Sequence, residues 1–199
     1  MRIKEFIAFI YISVAFLAAF SMGPGYAEDL NCAAYVAQKS GLNLAVQYPK
    51  DWIIIAETEG KGNAFGRLTL HEPGHLDDDS VAANITISAK DSSEFDLETL
   101  KSESLVGRQE ISSFKLISKR ITTIGSLKAL DLIMTYTISM PSWTGGSVFF
   151  PTKTRVVILQ KDSINYIFKY ECSEKEFDNF IKVFEYCVNT VKFPEQKKG

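Results

Sequence analysis

Apolar and polar positions alternate with a period of two along most of this chain. Leu42, Leu44, Val46 and Tyr48 fall on one side of an extended segment, so residues 42–48 read as a half-buried strand. Pro49-Lys50-Asp51 turns the chain, and residues 52–57, with Trp52 followed by three isoleucines, read as a second strand. Gly60-Lys61-Gly62-Asn63 marks another turn ahead of a third strand over 64–71. A polar loop spans 72–80. Residues 84–89 then alternate cleanly, with Ile85, Ile87 and Ala89 inward and Asn84, Thr86 and Ser88 outward, the pattern of a sheet with one wet face.

The period changes over 95–106, where Leu97, Leu100, Ser104 and Leu105 share one helical face. Ser93 or Asp96 suits the start of that helix and Gly107 its end. Strands resume at 114–123. Gly125-Ser126 turns into a long strand in which Leu130, Leu132, Met134, Tyr136 and Ile138 lie on one side. Residues 140–150, with Pro141, Gly145 and Gly146, read as a loop. Residues 154–160 and 165–172 read as a hairpin across Lys161-Asp162-Ser163. The last element is a helix over 173–191, with Phe177, Phe180, Ile181, Phe184, Cys187, Val188 and Val191 in one apolar stripe. Ser173 and Glu176 stand at capping-box spacing at its start. Short turns favour antiparallel pairing, so the expected class is α+β: a mostly antiparallel sheet covered by two helices. No internal repeat, low-complexity tract or linker interrupts it.

Residues 1–27 follow a different logic. Arg2 and Lys4 precede an apolar run over 6–20, Pro24 and Gly25 break it, and Gly25-Tyr26-Ala27 offers small residues before Glu28. This is the layout of a secretory signal with cleavage near Ala27, and the run is shorter than the ~20 residues a spanning helix needs. An uncleaved anchor is the alternative. Cys32 follows Asp29-Leu30-Asn31 rather than small residues, which disfavours a lipoprotein signal. The expected organisation is a signal peptide at 1–27 and one domain at 28–199, periplasmic or secreted. Nothing after Ala27 is apolar for long enough to cross a bilayer. Residues 28–199 hold 20 basic against 23 acidic residues, a net charge of −3 without a basic cluster, which speaks against nucleic acid.

Three cysteines fall in this segment, so in an oxidising compartment two can pair and leave one over. Cys187 on the apolar helix face reads as a small buried hydrophobe. If the last helix packs antiparallel on the strand ending at Cys172, Cys187 lies ~20 Å along it, out of disulfide reach. Cys32 pairing with either of the other two is then favoured.

With Tyr48-Pro49-Lys50-Asp51-Trp52 at the first turn, the chain resembles the PsbP-like family. The small-residue run from Thr122 to Ala129 around Gly125 resembles that family's approach to its long strand. Residues 165–170, then 176–180 and 183–185, resemble its final strand and helix. The matches cover about residues 40–194. The resemblance implies an α/β/α sandwich around an antiparallel sheet. It also implies a mainly non-catalytic role, as in extrinsic photosystem II subunits, a nuclear-transport accessory protein and exported bacterial proteins. It carries over no binding residues.

His71-Glu72-Pro73-Gly74-His75 is a literal H-E-x-x-H. That motif makes a zinc peptidase when both histidines share one helix face. Here it follows a strand pattern, and Pro73 and Gly74 would cost a helix ~3 and ~1 kcal/mol. A milder possibility keeps the same loop: His71, His75, Asp77 and Asp79 as ligands for a divalent metal, against a solvated acidic turn. Nucleophilic catalysis finds no Gly-x-Ser-x-Gly elbow, and no glycine-rich phosphate loop follows a strand. The loop at 140–150 offers Trp143, Phe149 and Phe150 as anchors for a partner, the alternative being that both phenylalanines begin the next strand and enter the core. The expected function is an exported, non-catalytic accessory module, without cofactor, that docks on an envelope or extracellular protein. The alternative is a metal-binding exported protein using the 71–79 loop.

Overall fold

The computed structural model describes residues 31–37, 42–58, 64–73, 81–91, 113–142 and 145–193. β1 (Cys32–Ala37) pairs antiparallel with β2 (Leu44–Pro49) as a separate two-stranded sheet. Seven further strands follow: β3 (Ile53–Thr58), β4 (Ala64–His71), β5 (Asn84–Asp91), β6 (Lys115–Ile124), β7 (Leu127–Pro141), β8 (Ser147–Lys161) and β9 (Ile164–Ser173). They form one sheet in the order β3-β4-β5-β9-β8-β7-β6, with every neighbouring pair antiparallel. A 3-10 turn, Glu174–Glu176, leads into the helix α1 (Phe177–Asn189). Among the described residues no helix is long and apolar enough to cross a membrane.

Alternation decides which side chains meet. Because successive residues of a strand point to opposite faces, the registers place Ala129, Val157, Leu159, Phe168, Tyr170, Ile85, Ile87, Leu68 and Leu70 on one face. α1 lies against this face with Phe177, Val183, Phe184, Cys187 and Val188 buried, and β2 adds Leu44 and Val46 to the same core. Trp52 sits just before β3, buried at one end of this core and edge-on to Phe180 at 6.0 Å between ring centres. The opposite face carries a second buried cluster: Leu130, Leu132, Met134, Tyr136, Val156 and Ile158.

The expected strands recur, the one over 64–71 with its bounds unchanged and the others with one or both ends shifted by a residue or more. β1 follows no alternation visible in the sequence, because Ala33, Ala34 and Ala37 give no polar contrast. Three expectations change further. First, the described residues give a sheet-dominated α+β fold with one helix on one face. A sheet covered by helices on both sides, the α/β/α sandwich, is not shown, since the helix expected over 95–106 lies outside them. Second, the loop expected over 140–150 shrinks to residues 142–146. The β7–β8 ladder runs on through Met140↔Val148 to Pro141↔Ser147, and Gly145 and Gly146 close the turn at φ +88° and +87°. Third, the last helix does not start with a capping box. Ser173 is the final residue of β9, at φ −59° and ψ 144°; its N–H bonds Val81 O at 2.9 Å. Its hydroxyl is buried and has no partner among the described residues.

Candidate functional site

The two longest strands reach past their neighbours. β6 pairs with β7 only as far as Lys115↔Thr135, and β9 pairs with β8 only as far as Thr152↔Ser173. Residues 136–141 and 147–151 therefore continue as a two-stranded ribbon that no other described strand pairs with. At ~3.4 Å per residue it extends for roughly 20 Å. Pro141 and Pro151 are tolerated there because no third strand needs the N–H that proline lacks. The turn is closed by Ser142 N–H to Gly146 O and Gly145 N–H to Ser142 O, both 3.1 Å.

Three residues were expected to anchor a partner here, and the structure separates them. Phe149 pairs with Ser139 and is 66% exposed. Phe150, one residue on, points to the opposite face beside Ile138 and is 8% exposed, so it belongs to the packed interior. Trp143 lies outside the described residues. Met140 is also exposed, on the face opposite Phe149.

The H-E-x-x-H segment starts on a strand. His71 is the last residue of β4, paired with Ile53 and Asn84, and its ring Nδ1 lies 2.5 Å from Glu72 O. Glu72 N–H bonds Ala83 O at 3.1 Å, and Glu72 and Pro73 are not helical. His75, Asp77 and Asp79 lie outside the described residues. Among the described residues no three metal-ligating side chains come together.

A charged cluster that the sequence did not announce lies under α1. Asp131 on β7 is 3% exposed and accepts from two arginines. Arg155 on β8 gives Nε to Oδ1 and Nη2 to Oδ2, each at 3.0 Å. Arg120 on β6 gives Nε and Nη2 to Oδ2 at 2.9 and 2.6 Å. The remaining Nη1 of Arg155 reaches Glu185 Oε1 on α1 at 2.6 Å, and its guanidinium lies 5.7 Å from the Phe184 ring centre. Burial pulls Arg155 towards its neutral form, but the hydrogen bonds to Asp131 and Glu185 outweigh that, and its pKa stands above the ordinary arginine value. A cavity of about 190 Å³ opens beside these residues, lined also by Thr122, Val188 and Asn189. The two arginines and two carboxylates balance in charge and satisfy one another, so the cluster fastens α1 to the sheet. No spacing in the sequence could have found it, because the four residues come from four elements.

The cysteines are all free thiols. Cys172 is buried, with Sγ 3.1 Å from Tyr170 Oη, and burial pushes its thiol up to about 11. Cys187 is buried in the core, and burial pushes its thiol up. Nucleophilic cysteine chemistry needs a thiolate, and these environments oppose one. In the reduced native protein a maleimide should therefore modify Cys32, which is partly exposed, well before Cys172 or Cys187. Intact-mass measurement before and after unfolding checks this; equal early labelling of all three would contradict the burial.

No protein-family model and no curated protein matches the sequence. Solved structures do match in shape. The solution structure of cyanobacterial PsbP from Synechocystis superposes with a TM-score of 0.54 at 13% identity, over 89% of this chain and 99% of that one. A Pseudomonas aeruginosa protein of unknown function, described as a putative regulator, gives 0.51 at 12% identity over 83% and 99%. The Ran-binding protein Mog1p of Saccharomyces cerevisiae gives 0.51 at 9% identity over 83% and 96%. At such identities the likeness is one of fold, and the fold of this chain is PsbP-like.

Proposed function

We propose that this chain is an exported, non-catalytic accessory module that docks on a partner protein in the periplasm or outside the cell, through the β7–β8 ribbon. The observation that carries it is Phe149, an aromatic side chain 66% exposed on a ribbon extending beyond the sheet. Aromatic residues are the usual anchors of interfaces, and folding gains little from leaving one in water. The signal-like residues 1–27 support export. The PsbP-like fold supports an accessory role by analogy only.

A photo-crosslinking amino acid at position 149 tests the reading in the producing cell, with position 182 on the outer side of α1 as the control. Position 149 should capture one protein that position 182 does not. Phe149→Asp should abolish capture by a crosslinker placed at position 147, while changing stability by no more than about 0.5 kcal/mol, as expected for an exposed site. Identical products from both positions would overturn the docking role. Elemental analysis of the untagged protein separates this reading from the metal alternative: stoichiometric metal lost on replacing His71 and His75 would favour the latter.

A further inference from the structure

From Leu132 to Thr152 the chain holds no charged residue and no histidine. That stretch includes the whole ribbon continuing past the sheet, residues 136–141 and 147–151. Charged residues are 23% of the chain, so their absence from the ribbon does not follow from composition. Large apolar groups are exposed on both of its faces. Phe149 shares one face with its pair Ser139 and is 66% exposed; Met140 shares the other with its pair Val148 and is 43% exposed. The outer edges are blunted for pairing. Thr137 N–H is taken by Ser113 Oγ at 2.9 Å, and Pro141 and Pro151 have no N–H to give. A strand added to either edge would lose main-chain bonds at these positions, so recognition falls to the side chains.

We propose that the partner protein holds this ribbon in an uncharged, apolar cleft that closes on both of its faces. The inference rests on the docking role given to the ribbon above and names the chemistry of what docks there. A partner lying flat on one face would cover Phe149 and leave Met140 in water, or the reverse. A cleft covers both, and the apolar surface it buries on each face supplies the affinity. A charge lining that cleft would lose its water and meet no counter-charge on the ribbon, which is costly. The lining is therefore apolar, with neutral hydrogen-bonding groups opposite the exposed Ser139 and Ser147. A bilayer is the poorer occupant. No described strand pairs with the outer edges of the ribbon, and hydrocarbon excludes open sheet edges because it offers their peptide groups no partner. A second copy is poorer too, since ribbon stacked on ribbon covers one face of each and leaves the other in water.

The test uses the full chain in the producing cell, with a photo-crosslinking amino acid at position 140 in one variant and at position 149 in another. Both positions should capture the same protein, which position 182 does not. Capture from position 149 in a native envelope extract should change by less than about twofold between about 0.05 and about 1 M sodium chloride, because no charge pair contributes. Met140→Asp should lower capture from position 149 by at least about tenfold with an unchanged melting temperature, and Met140→Leu should preserve it. Capture at 149 but not at 140 would leave the docking role standing and overturn the enclosing cleft. No distinct product at either position would overturn both. A fall of about tenfold or more as salt rises would overturn the uncharged lining. A product made of two copies of this chain would overturn the cleft in favour of self-association. Binding of the purified chain to phosphatidylcholine–phosphatidylglycerol vesicles, lost in Phe149→Asp, would overturn it in favour of a lipid surface.

Discussion

Asp131→Ala lowers the stability of the fold by about 3–5 kcal/mol, because it strands the Arg155 guanidinium in the interior without its carboxylate. In the native protein Asp131 takes two hydrogen bonds from Arg155 at 3.0 Å each, and only Glu185, at the rim, would remain. Arg120 bonds the same carboxylate but is 60% exposed, so Arg120→Ala should cost only about 0–1 kcal/mol, the range of a surface pair. The contrast is the informative part: two arginines share one acceptor, and water can replace one of them but not the other. Urea unfolding of both variants measures it. Arg155→Met added to Asp131→Ala should recover part of the loss by removing the stranded charge. Equal costs for Asp131→Ala and Arg120→Ala would mean that the cluster is open to solvent.

Phe184→Ala removes the side chain by which α1 grips the sheet, at an expected cost of about 3–5 kcal/mol. Phe184 is fully buried, stacks on Tyr170 with ring centres 5.7 Å apart, and lies beneath the Arg155 guanidinium. Tyr170 is itself held by a 2.9 Å bond from its hydroxyl to Phe177 O and cannot move to fill the space without breaking it. Phe149→Ala deletes the same atoms from the ribbon and should change stability by at most about 0.5 kcal/mol. Chemical denaturation of the pair tests whether burial, rather than residue type, sets the cost. Comparable losses would place Phe149 in the folded core and remove the support it lends to docking.

The folding of 140–150 shows how local signals mislead. Pro141, Gly145 and Gly146 are turn residues, and a window of eleven residues containing them reads as a loop. Long pairing between β7 and β8 overrides that reading. Both prolines sit where the missing N–H costs nothing, and the two glycines are confined to a five-residue turn. The capping expectation at Ser173 fails for a related reason. Its spacing to Glu176 is right, but β9 claims the residue as its last strand position, and a 3-10 turn intervenes before α1.

What the sequence determined by itself are the periodic faces. Ile85, Ile87 and Ala89 are buried as their alternation requires, the long strand turns Leu130 to Ile138 to one side, and the stripe of the last helix lies on the sheet. The turn at Asp162 and Ser163 was equally legible, both residues standing at positive φ between β8 and β9. These follow from solvent: a side chain's affinity for water is a local property, and a period of 2 or 3.6 converts it into a face. Tertiary structure alone decided which strands are neighbours, such as β5 beside β9. It also decided that Asp131 meets Arg155 across the β7–β8 pair, that Glu185 closes the cluster from the helix, that Phe149 and Phe150 part to opposite faces, and that β6 comes last in the order of the described strands. Each depends on residues far apart in the chain being brought into register, and the free energy that selects the register is summed over whole strands rather than written in any one of them.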